Sequence, residues 1–296
     1  MKYGEVTLGQ VEAAINKLGG QEVWDAWLRG KKTVTIKDAI SLFFDKHGRR
    51  IPEGLQANVC DANRNFGLDQ PKLEKEIVFA YRILRLHECL SIDSEVTAEQ
   101  LKAETERMLA MIRENSQIAN IANGVCLPVV LPKLVTNDLG AELELYLAGV
   151  NNSYAKTFGN WEFYNRRKGT LTNEVSVVDG SRHDQLISRM KEGPVIGLHF
   201  PNPLQGFSIH ASREQMSILP KGFILSGIDT PIAMVMYPDI LARDWNTPGL
   251  DLAALQWRST GYSFFFRAFD AKLGFYGTDS LAGARGGCSG GFLFLG

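Results

Sequence analysis

The sequence lacks several features that would place a protein in a large functional class. It has no excess of either charge, since 32 basic residues oppose 33 acidic ones and the formal net charge is −1. Nucleic-acid and anionic-membrane partners are bound by basic surfaces, so we expect neither. The longest apolar stretches, 118–135 and 223–241, are interrupted by prolines and polar residues, and we therefore expect no membrane span.

Cysteine is also scarce. The four cysteines, at positions 60, 89, 126 and 288, are widely scattered. Residues 1–6 carry neither the basic nor the apolar region of a signal peptide. Both observations indicate free thiols in a reducing compartment. We expect a cytoplasmic protein, with a virion or surface-associated location as the alternative.

No group of residues has the spacing of a catalytic centre or a metal site. His199 and His210 could meet across adjacent strands, but each is typical of a strand histidine with a structural partner. The aspartates at 229, 239 and 244 are too dispersed for a calcium loop. Cys288 lies in a glycine-rich segment, yet nearby Arg285 could only lower the thiol pKa and could not act as a base. We expect no cofactor, no metal and no catalytic residue.

The first 124 residues are predicted to be mainly helical. A capping box at Thr7–Gln10 starts a helix that Gly19 and Gly20 end, and a second helix is predicted over 21–28. A strand over 33–36 and a helix over 37–44 complete a small helical module, residues 1–50. Residues 51–124 are predicted to contain the rest of a polar linker (46–69) and a helical hairpin (71–90 and 97–115), with Pro71 in the first turn of its first helix.

Residues 125–296 are predicted to form an α+β domain. The segment 125–132 contains two prolines and is typical of an edge strand. Asp138 is a candidate cap for a helix over 139–157. Further along, 195–200 and 207–210 are predicted to be strands joined by a proline-rich loop, and Ser212 is predicted to cap a short helix.

The carboxyl-terminal forty residues differ from the rest in composition. Eight of the twenty residues 257–276 are aromatic, and eight of the twenty-three residues 274–296 are glycine. Aromatic side chains are stabilised by burial or by a ligand, and glycine permits tight turns. These features predict a compact terminal sheet that presents side chains to a partner.

Alternation along the predicted strand 263–270 divides its side chains between two faces. Phe264, Phe266 and Ala268 are assigned to the core, and Phe265, Arg267 and Phe269 to the opposite face. An arginine between two aromatic residues is typical of a recognition patch. The candidate ligand-binding residues are Trp257, Tyr262, Phe265, Arg267, Phe269, Lys272, Tyr276, Asp279 and Arg285. In the alternative interpretation, Phe265 and Phe269 are covered by the amino-terminal helices.

The segment Leu219–Leu225, which reads Leu-Pro-Lys-Gly-Phe-Ile-Leu, and the terminal strand Gly291–Leu295 carry a resemblance. Over about 190–296 the chain resembles C-type-lectin-like proteins, in the branch of formylglycine-generating-enzyme-like domains and the variable proteins of diversity-generating retroelements. The stretch 10–20 also resembles the opening of uncharacterised bacterial proteins that end in such a domain. The resemblance implies a C-type-lectin-like domain whose rigid terminal sheet displays exchangeable binding residues.

The function expected from these observations is non-catalytic binding of an unknown protein or other macromolecule through the carboxyl-terminal face. A homo-oligomer is compatible with this expectation. Two alternatives stay open: a structural component of a phage or cellular assembly, and an enzyme of unknown chemistry.

Overall fold

The structure is a computed structural model that describes residues 7–34, 41–45, 48–73, 75–159 and 161–296. The chain divides into two compact units, Met1–Ile40 and Ser41–Gly296. The sequence analysis instead placed segment boundaries at residues 50 and 124. Neither of these predicted boundaries coincides with the division between the two units, which follows Ile40.

The first unit contains two helices, α1 (Leu8–Lys17) and α2 (Gln21–Leu28). The predicted capping box is confirmed: the Thr7 hydroxyl accepts from the Gln10 N–H, and the Gln10 side chain accepts from the Thr7 N–H. Neither helix contains a buried residue. The predicted strand over 33–36 is not formed at residues 33 and 34, and residues 35 and 36 lie outside the described residues.

The second unit combines helices with a mixed sheet, which confirms a mixed α and β fold. It begins with the short strands β1 (Phe44–Asp45) and β2 (Gly48–Arg49). The helices are α3 (Glu76–Leu90), α4 (Ala98–Glu114), α5 (Leu139–Phe158), α6 (His183–Glu192), α7 (Ile209–Gln215) and α8 (Asp229–Met236), with a 3₁₀ helix at Ala119–Asn123. The remaining strands are β3 (Leu127–Leu131), β4 (Glu162–Asn165), β5 (Val175–Val177), β6 (Val195–Gln205), β7 (Phe223–Leu225), β8 (Gly249–Asp251), β9 (Leu255–Trp257), β10 (Ser263–Phe269), β11 (Lys272–Thr278) and β12 (Cys288–Phe294).

Eight of these strands form one mixed sheet in the order β3-β6-β12-β8-β10-β11-β4, with β7 also paired to β12. The pairs β12–β8 and β11–β4 are parallel, and the other pairs are antiparallel. The predicted edge strand near 125–132 is confirmed, because β3 ends the sheet. The strand β12, late in the sequence, lies in the middle.

Buried side chains form two clusters. One cluster includes Phe264, Phe266 and Phe275 of the sheet together with side chains from α3, α5 and α8. The other includes Phe200 and Phe292 together with side chains from α4 and α7. The sheet thus has helices packed on both faces.

The predicted linker is packed on the sheet domain over its described residues. The Cys60 N–H donates to the Gly206 carbonyl at 2.9 Å, and the Asn63 N–H donates to the Gly286 carbonyl at 2.8 Å. The Ser208 N–H in turn donates to the Asn58 carbonyl at 3.0 Å. Backbone groups of an irregular segment need partners when they are covered, and here the sheet domain supplies them. The described part of this segment is therefore held against the sheet domain by backbone hydrogen bonds.

The first hairpin helix also differs from its prediction. It begins at Glu76, so Pro71 lies before it and not in its first turn. Tyr81 and Leu84 are about half exposed, whereas Arg82 and Arg85 are buried. Both arginines donate to carbonyls at the end of α8, those of Met236 and Val235. Those carbonyls have no partner within their own helix, which explains why cationic side chains occupy the buried face.

Four further predictions were wrong. Residues 41–44, described at the end of the helix expected over 37–44, are not helical, and 37–40 lie outside the described residues. The predicted proline-rich loop after residue 200 is part of β6, which pairs with β12 across a bulge.

Ser208 caps α7, since its Oγ accepts from the Ala211 N–H at 3.1 Å. The expected strand over 207–210 therefore contains a helix start, and Ser212 lies inside the helix.

Candidate functional site

The strand β10 separates core from surface as its alternation predicts. Phe264, Phe266 and Ala268 are buried. On the other side of the strand, Phe265 is half-buried, Arg267 is exposed and Phe269 is 42% exposed.

The strand register extends this surface over the neighbouring strands. Phe265 pairs with Tyr276, and Phe269 pairs with Lys272. Because β4 pairs with β11, Glu162 lies beside Lys272, and Tyr164 lies beside Gly274. Side chains of paired residues project from the same side of a sheet. We define the open face as the surface formed by Glu162, Tyr164, Phe265, Arg267, Phe269, Lys272 and Tyr276.

The open face continues a side of the sheet that is covered elsewhere. In register, Phe265 lies beside Asp251, Asp251 beside Gly290, and Gly290 beside Leu204. At Gly290 a Cβ atom would lie 2.6 Å from Ser212 Oγ of α7, so the helix packs directly on the strand backbone. The side chain of Leu204 is buried in the cluster that includes α7. Helix α7 thus covers this side of β12 and β6, whereas the same side of β10 and β11 is accessible.

Tyr276 organises the aromatic part of the open face. Its ring stacks on Phe265 at a centroid distance of 5.2 Å and meets Phe269 edge-on at 6.4 Å. The ring lies over Gly274, where a Cβ atom would come within 2.2 Å of it. Glycine at this position allows one tyrosine to contact both phenylalanines.

Charged groups lie against these rings. The guanidinium carbon of Arg267 is 5.2 Å from the centroid of Phe269, and that of Arg166 is 4.5 Å from the centroid of Tyr164. Lys272 Nζ lies 2.8 Å from a carboxylate oxygen of Glu162. The hydrogen bond to Glu162 raises the pKa of Lys272. The open face therefore offers flat aromatic area together with fixed positive charge.

Not all predicted ligand-binding residues belong to the open face. Trp257 is only 8% exposed, and the guanidinium carbons of Arg167 and Arg258 lie 4.1 and 4.7 Å from the centroid of its ring. Tyr262 is 37% exposed and meets Trp257 edge-on. Asp279 and Arg285 are exposed in the segment that follows β11. The structure brings together Phe265, Arg267, Phe269, Lys272 and Tyr276.

Two members of the open face, Glu162 and Tyr164, were missing from the predicted site. The sequence analysis did not connect the segment before residue 165 with the terminal strands. The parallel pairing of β4 with β11 joins residues more than a hundred positions apart, and no local pattern specifies such a pairing. The available signal for this part of the site was Tyr164, an aromatic residue in a short alternating strand.

Asp251 and Cys288 lie at the covered end of this surface. Burial raises the pKa of the Asp251 carboxyl to about 7, although Arg285 opposes the shift. Burial, with a contribution from Asp251, raises the pKa of the Cys288 thiol to about 12. A thiol that stays protonated at neutral pH is a poor nucleophile. This property argues against covalent chemistry at Cys288.

The histidines considered for metal binding are separated. His199 Nδ1 lies 2.8 Å from Asp229 Oδ2 in the buried core, and His210 is exposed in α7 rather than on a strand. The Asp229 carboxylate also accepts from the Gly227 N–H at 2.6 Å. Among the residues that the structure describes, no three His, Cys, Asp or Glu side chains are grouped so as to hold a metal ion.

Comparison of the chain with known protein families, with curated proteins and with solved structures found no match. Within the described residues, no helix is both long and apolar enough to cross a membrane.

Proposed function

We propose that this chain is a non-catalytic binding protein that captures a protein or another macromolecule through the open face. The observation that carries this proposal is the uncovered side of β10 and β11, which presents Phe265, Arg267 and Phe269 while α7 covers the same side of β12. Exposed aromatic groups that form a continuous patch mark interaction sites.

The energetics of the open face suit binding. Aromatic and arginine side chains provide most of the binding energy at protein interfaces. The open face is carried by paired strands, so little backbone entropy is lost when a ligand binds. Contacts of Tyr276 with Phe265 and Phe269 restrict the side chains before any ligand arrives. Preorganisation of this kind reduces the entropic cost of association.

The proposal extends to the C-type-lectin-like branch that the sequence resembles. The turn at Leu219–Leu225 leads into β7, and most of the segment Gly291–Leu295 lies in the central strand β12. Alternation on β10 would let residues 265, 267 and 269 vary without changing the buried residues 264, 266 and 268. A reverse-transcriptase gene beside a near-copy of the terminal coding segment, differing at adenines, would support diversification of this face.

Site-specific photo-crosslinking tests the binding proposal. We expect p-benzoylphenylalanine at position 269 to give a discrete adduct in cells of the organism that encodes the chain, and the same group at exposed position 84 of α3 to give none. Arg267→Ala should abolish the adduct formed from position 269, because it removes the cation beside the ring. The matched control Leu84→Ala/Arg113→Ala removes one exposed apolar and one exposed cationic side chain elsewhere, and the adduct should persist. Equal labelling from both positions would refute the proposal.

An assembly component is the second candidate, and the first unit supports it. Its helices α1 and α2 contain no buried residue, and Leu8 and Leu28 are 89% and 63% exposed. Two short helices cannot bury a core of their own, so an additional partner would stabilise them. A large obligate oligomer in light scattering, with the group at position 269 inaccessible to ligands, would favour assembly over ligand capture.

A further inference from the structure

A second surface lies at the end of the sheet, along the outer edge of β4. This strand pairs with β11 on one side and with no other described strand. The Glu162 and Arg166 N–H groups donate towards β11, to the carbonyls of Ala271 and Phe275 at 3.2 and 3.1 Å. In a parallel ladder the intervening residues direct their backbone groups away. The N–H and C=O groups of Phe163 and Asn165 therefore point outwards.

The opposite edge of the sheet is protected in ways that β4 is not. On β3, Pro128 has no N–H group, and its carbonyl accepts from the Tyr237 hydroxyl at 2.7 Å. The Val130 N–H lies 3.4 Å from Met236 Sδ. Natural sheets block their edges with prolines and covering side chains because a bare edge is a template for another strand. This sheet blocks one edge and leaves the other available.

A groove runs beside the outer edge of β4. Its volume is about 410 Å³, and α5 and β4 form its walls. Leu147, Ala148 and Asn151 line it from the helix, and Phe163 and Asn165 line it from the strand. A strand added to an edge places alternate side chains on each side, and such side chains need pockets. The groove provides apolar contact for one of them.

The charges around β4 favour an acidic occupant. At the start of the strand, Glu162 is neutralised by Lys272. Beyond its end, Arg166 and Lys168 are exposed, and neither forms an ion pair with another described residue. Glu144 also lines the groove, where its carboxylate accepts from the Leu171 N–H at 3.3 Å. Arg166 and Lys168 outnumber Glu144, so the charge around the groove that lacks an ion pair with a described residue is net positive, and the two cations lie at one end of the edge.

We propose that β4 and α5 bind an extended acidic peptide segment of a partner protein as an additional strand. The peptide backbone pairs with Phe163 and Asn165, an apolar side chain enters the groove beside Ala148, and an acidic side chain lies near Arg166 and Lys168. This site adjoins the open face, since Arg166 lies over Tyr164, but it uses the backbone edge of β4 and the groove rather than the aromatic surface of β10 and β11.

The probe for this proposal is a phage-displayed library of random dodecapeptides, selected on the full chain. We expect enriched peptides to combine β-branched or aromatic residues with an acidic residue. In fluorescence polarisation, N-methylation at every second residue should weaken binding roughly fivefold per site, since each removes one backbone hydrogen bond. N-methylation at the intervening residues should have little effect. This alternation distinguishes strand addition from other modes of peptide binding.

Variants of the chain locate the site. Ala148→Arg fills the groove, and Arg166→Ala/Lys168→Ala removes the positive end, so each should weaken peptide binding at least about tenfold. Leu84→Ala/Arg113→Ala is the matched control and should bind normally. A library that yields no peptide, an N-methyl scan without alternation, or binding indifferent to both groove variants would overturn the proposal. A dimer in light scattering that Ala148→Arg dissociates would overturn it too, because it would assign the edge to a second copy. None of these outcomes depends on crosslinking from the open face.

Discussion

A single missing side chain at position 274 sets the arrangement of the aromatic rings on the open face. Tyr276 lies over Gly274 and contacts both Phe265 and Phe269. A side chain at 274 would occupy the space of the tyrosine ring. The atoms in the way belong to the far end of a rotatable side chain, so the ring can move without disturbing the strand.

Gly274→Ala is therefore expected to rearrange the open face and preserve the fold. The free energy of unfolding should change by less than about 1 kcal/mol, because glycine in a strand is itself unfavourable and the displaced ring is only half-buried. The near-ultraviolet circular dichroism should change as Tyr276 leaves Phe265. Urea unfolding with an unchanged far-ultraviolet spectrum provides the control. A large loss of stability would contradict this account of Gly274.

At the scale of elements, Ser208 and Ser212 test what begins α7. Ser208 Oγ accepts from the Ala211 N–H, whereas Ser212 Oγ is buried and has no hydrogen-bond partner among the described residues. Ser208→Ala should cost about 1 kcal/mol of unfolding free energy, since it removes the helix cap. Ser212→Ala should be close to neutral or stabilising, because it removes an unsatisfied buried hydroxyl.

Urea unfolding of the two variants under identical conditions measures this difference. The two substitutions are chemically the same and lie four residues apart, so each serves as the control for the other. The sequence pattern predicts Ser212 as the cap. A greater loss of stability in the Ser212 variant would restore that earlier assignment.

This pair also shows which elements could be predicted from the sequence. Signals confined to one turn were sufficient: Thr7 caps α1, and Asp138 caps α5, where its carboxylate accepts from the Ala141 N–H. The alternation on β10 gave the correct buried face. For α7 the local pattern indicated Ser212, whereas the Ser208 N–H donates to the Asn58 carbonyl, a partner distant in sequence.

Longer-range features of the candidate site were not predictable in the same way. The contribution of Tyr164 depends on pairing between β4 and β11, and the burial of Trp257 depends on Arg167 and on the Thr170 carbonyl, which accepts from its indole N–H. Arg82 and Arg85 face inwards because they donate to the carbonyls at the carboxyl end of α8. Each of these outcomes is decided by a partner that is distant in sequence.

At the scale of the whole molecule, buried titratable groups make stability depend on pH in two directions. Burial favours the protonated form of Asp229, but the hydrogen bond and charge of His199, together with His183 and the Gly227 N–H, outweigh burial and lower the pKa. The stability that this group contributes is present above its ordinary pKa and is lost as the pH falls. Asp251 acts in the opposite sense, since its raised pKa means that folding becomes less favourable as the pH rises from about 4 through about 7.

Asp251→Asn isolates the second effect. Each unit by which the pKa differs between the folded and unfolded chain is worth about 1.4 kcal/mol, so the variant should gain about 2 to 4 kcal/mol relative to the wild type between pH 4 and pH 8. The measurement is urea unfolding of both proteins across this range, with the wild type at each pH as the reference. A difference between variant and wild type that does not grow with pH would contradict a proton held by Asp251 in the folded state.

The central place of β12 has a consequence for synthesis. This strand separates β6 from β7 and β8, yet it is the last of the described strands in chain order. On the ribosome, the earlier strands emerge before the one that joins them, and their edges stay unsatisfied until residue 294 has been translated. Such nascent edges are prone to aggregation. The yield of this chain in a cell is therefore expected to depend on a chaperone that shields incomplete sheets during translation.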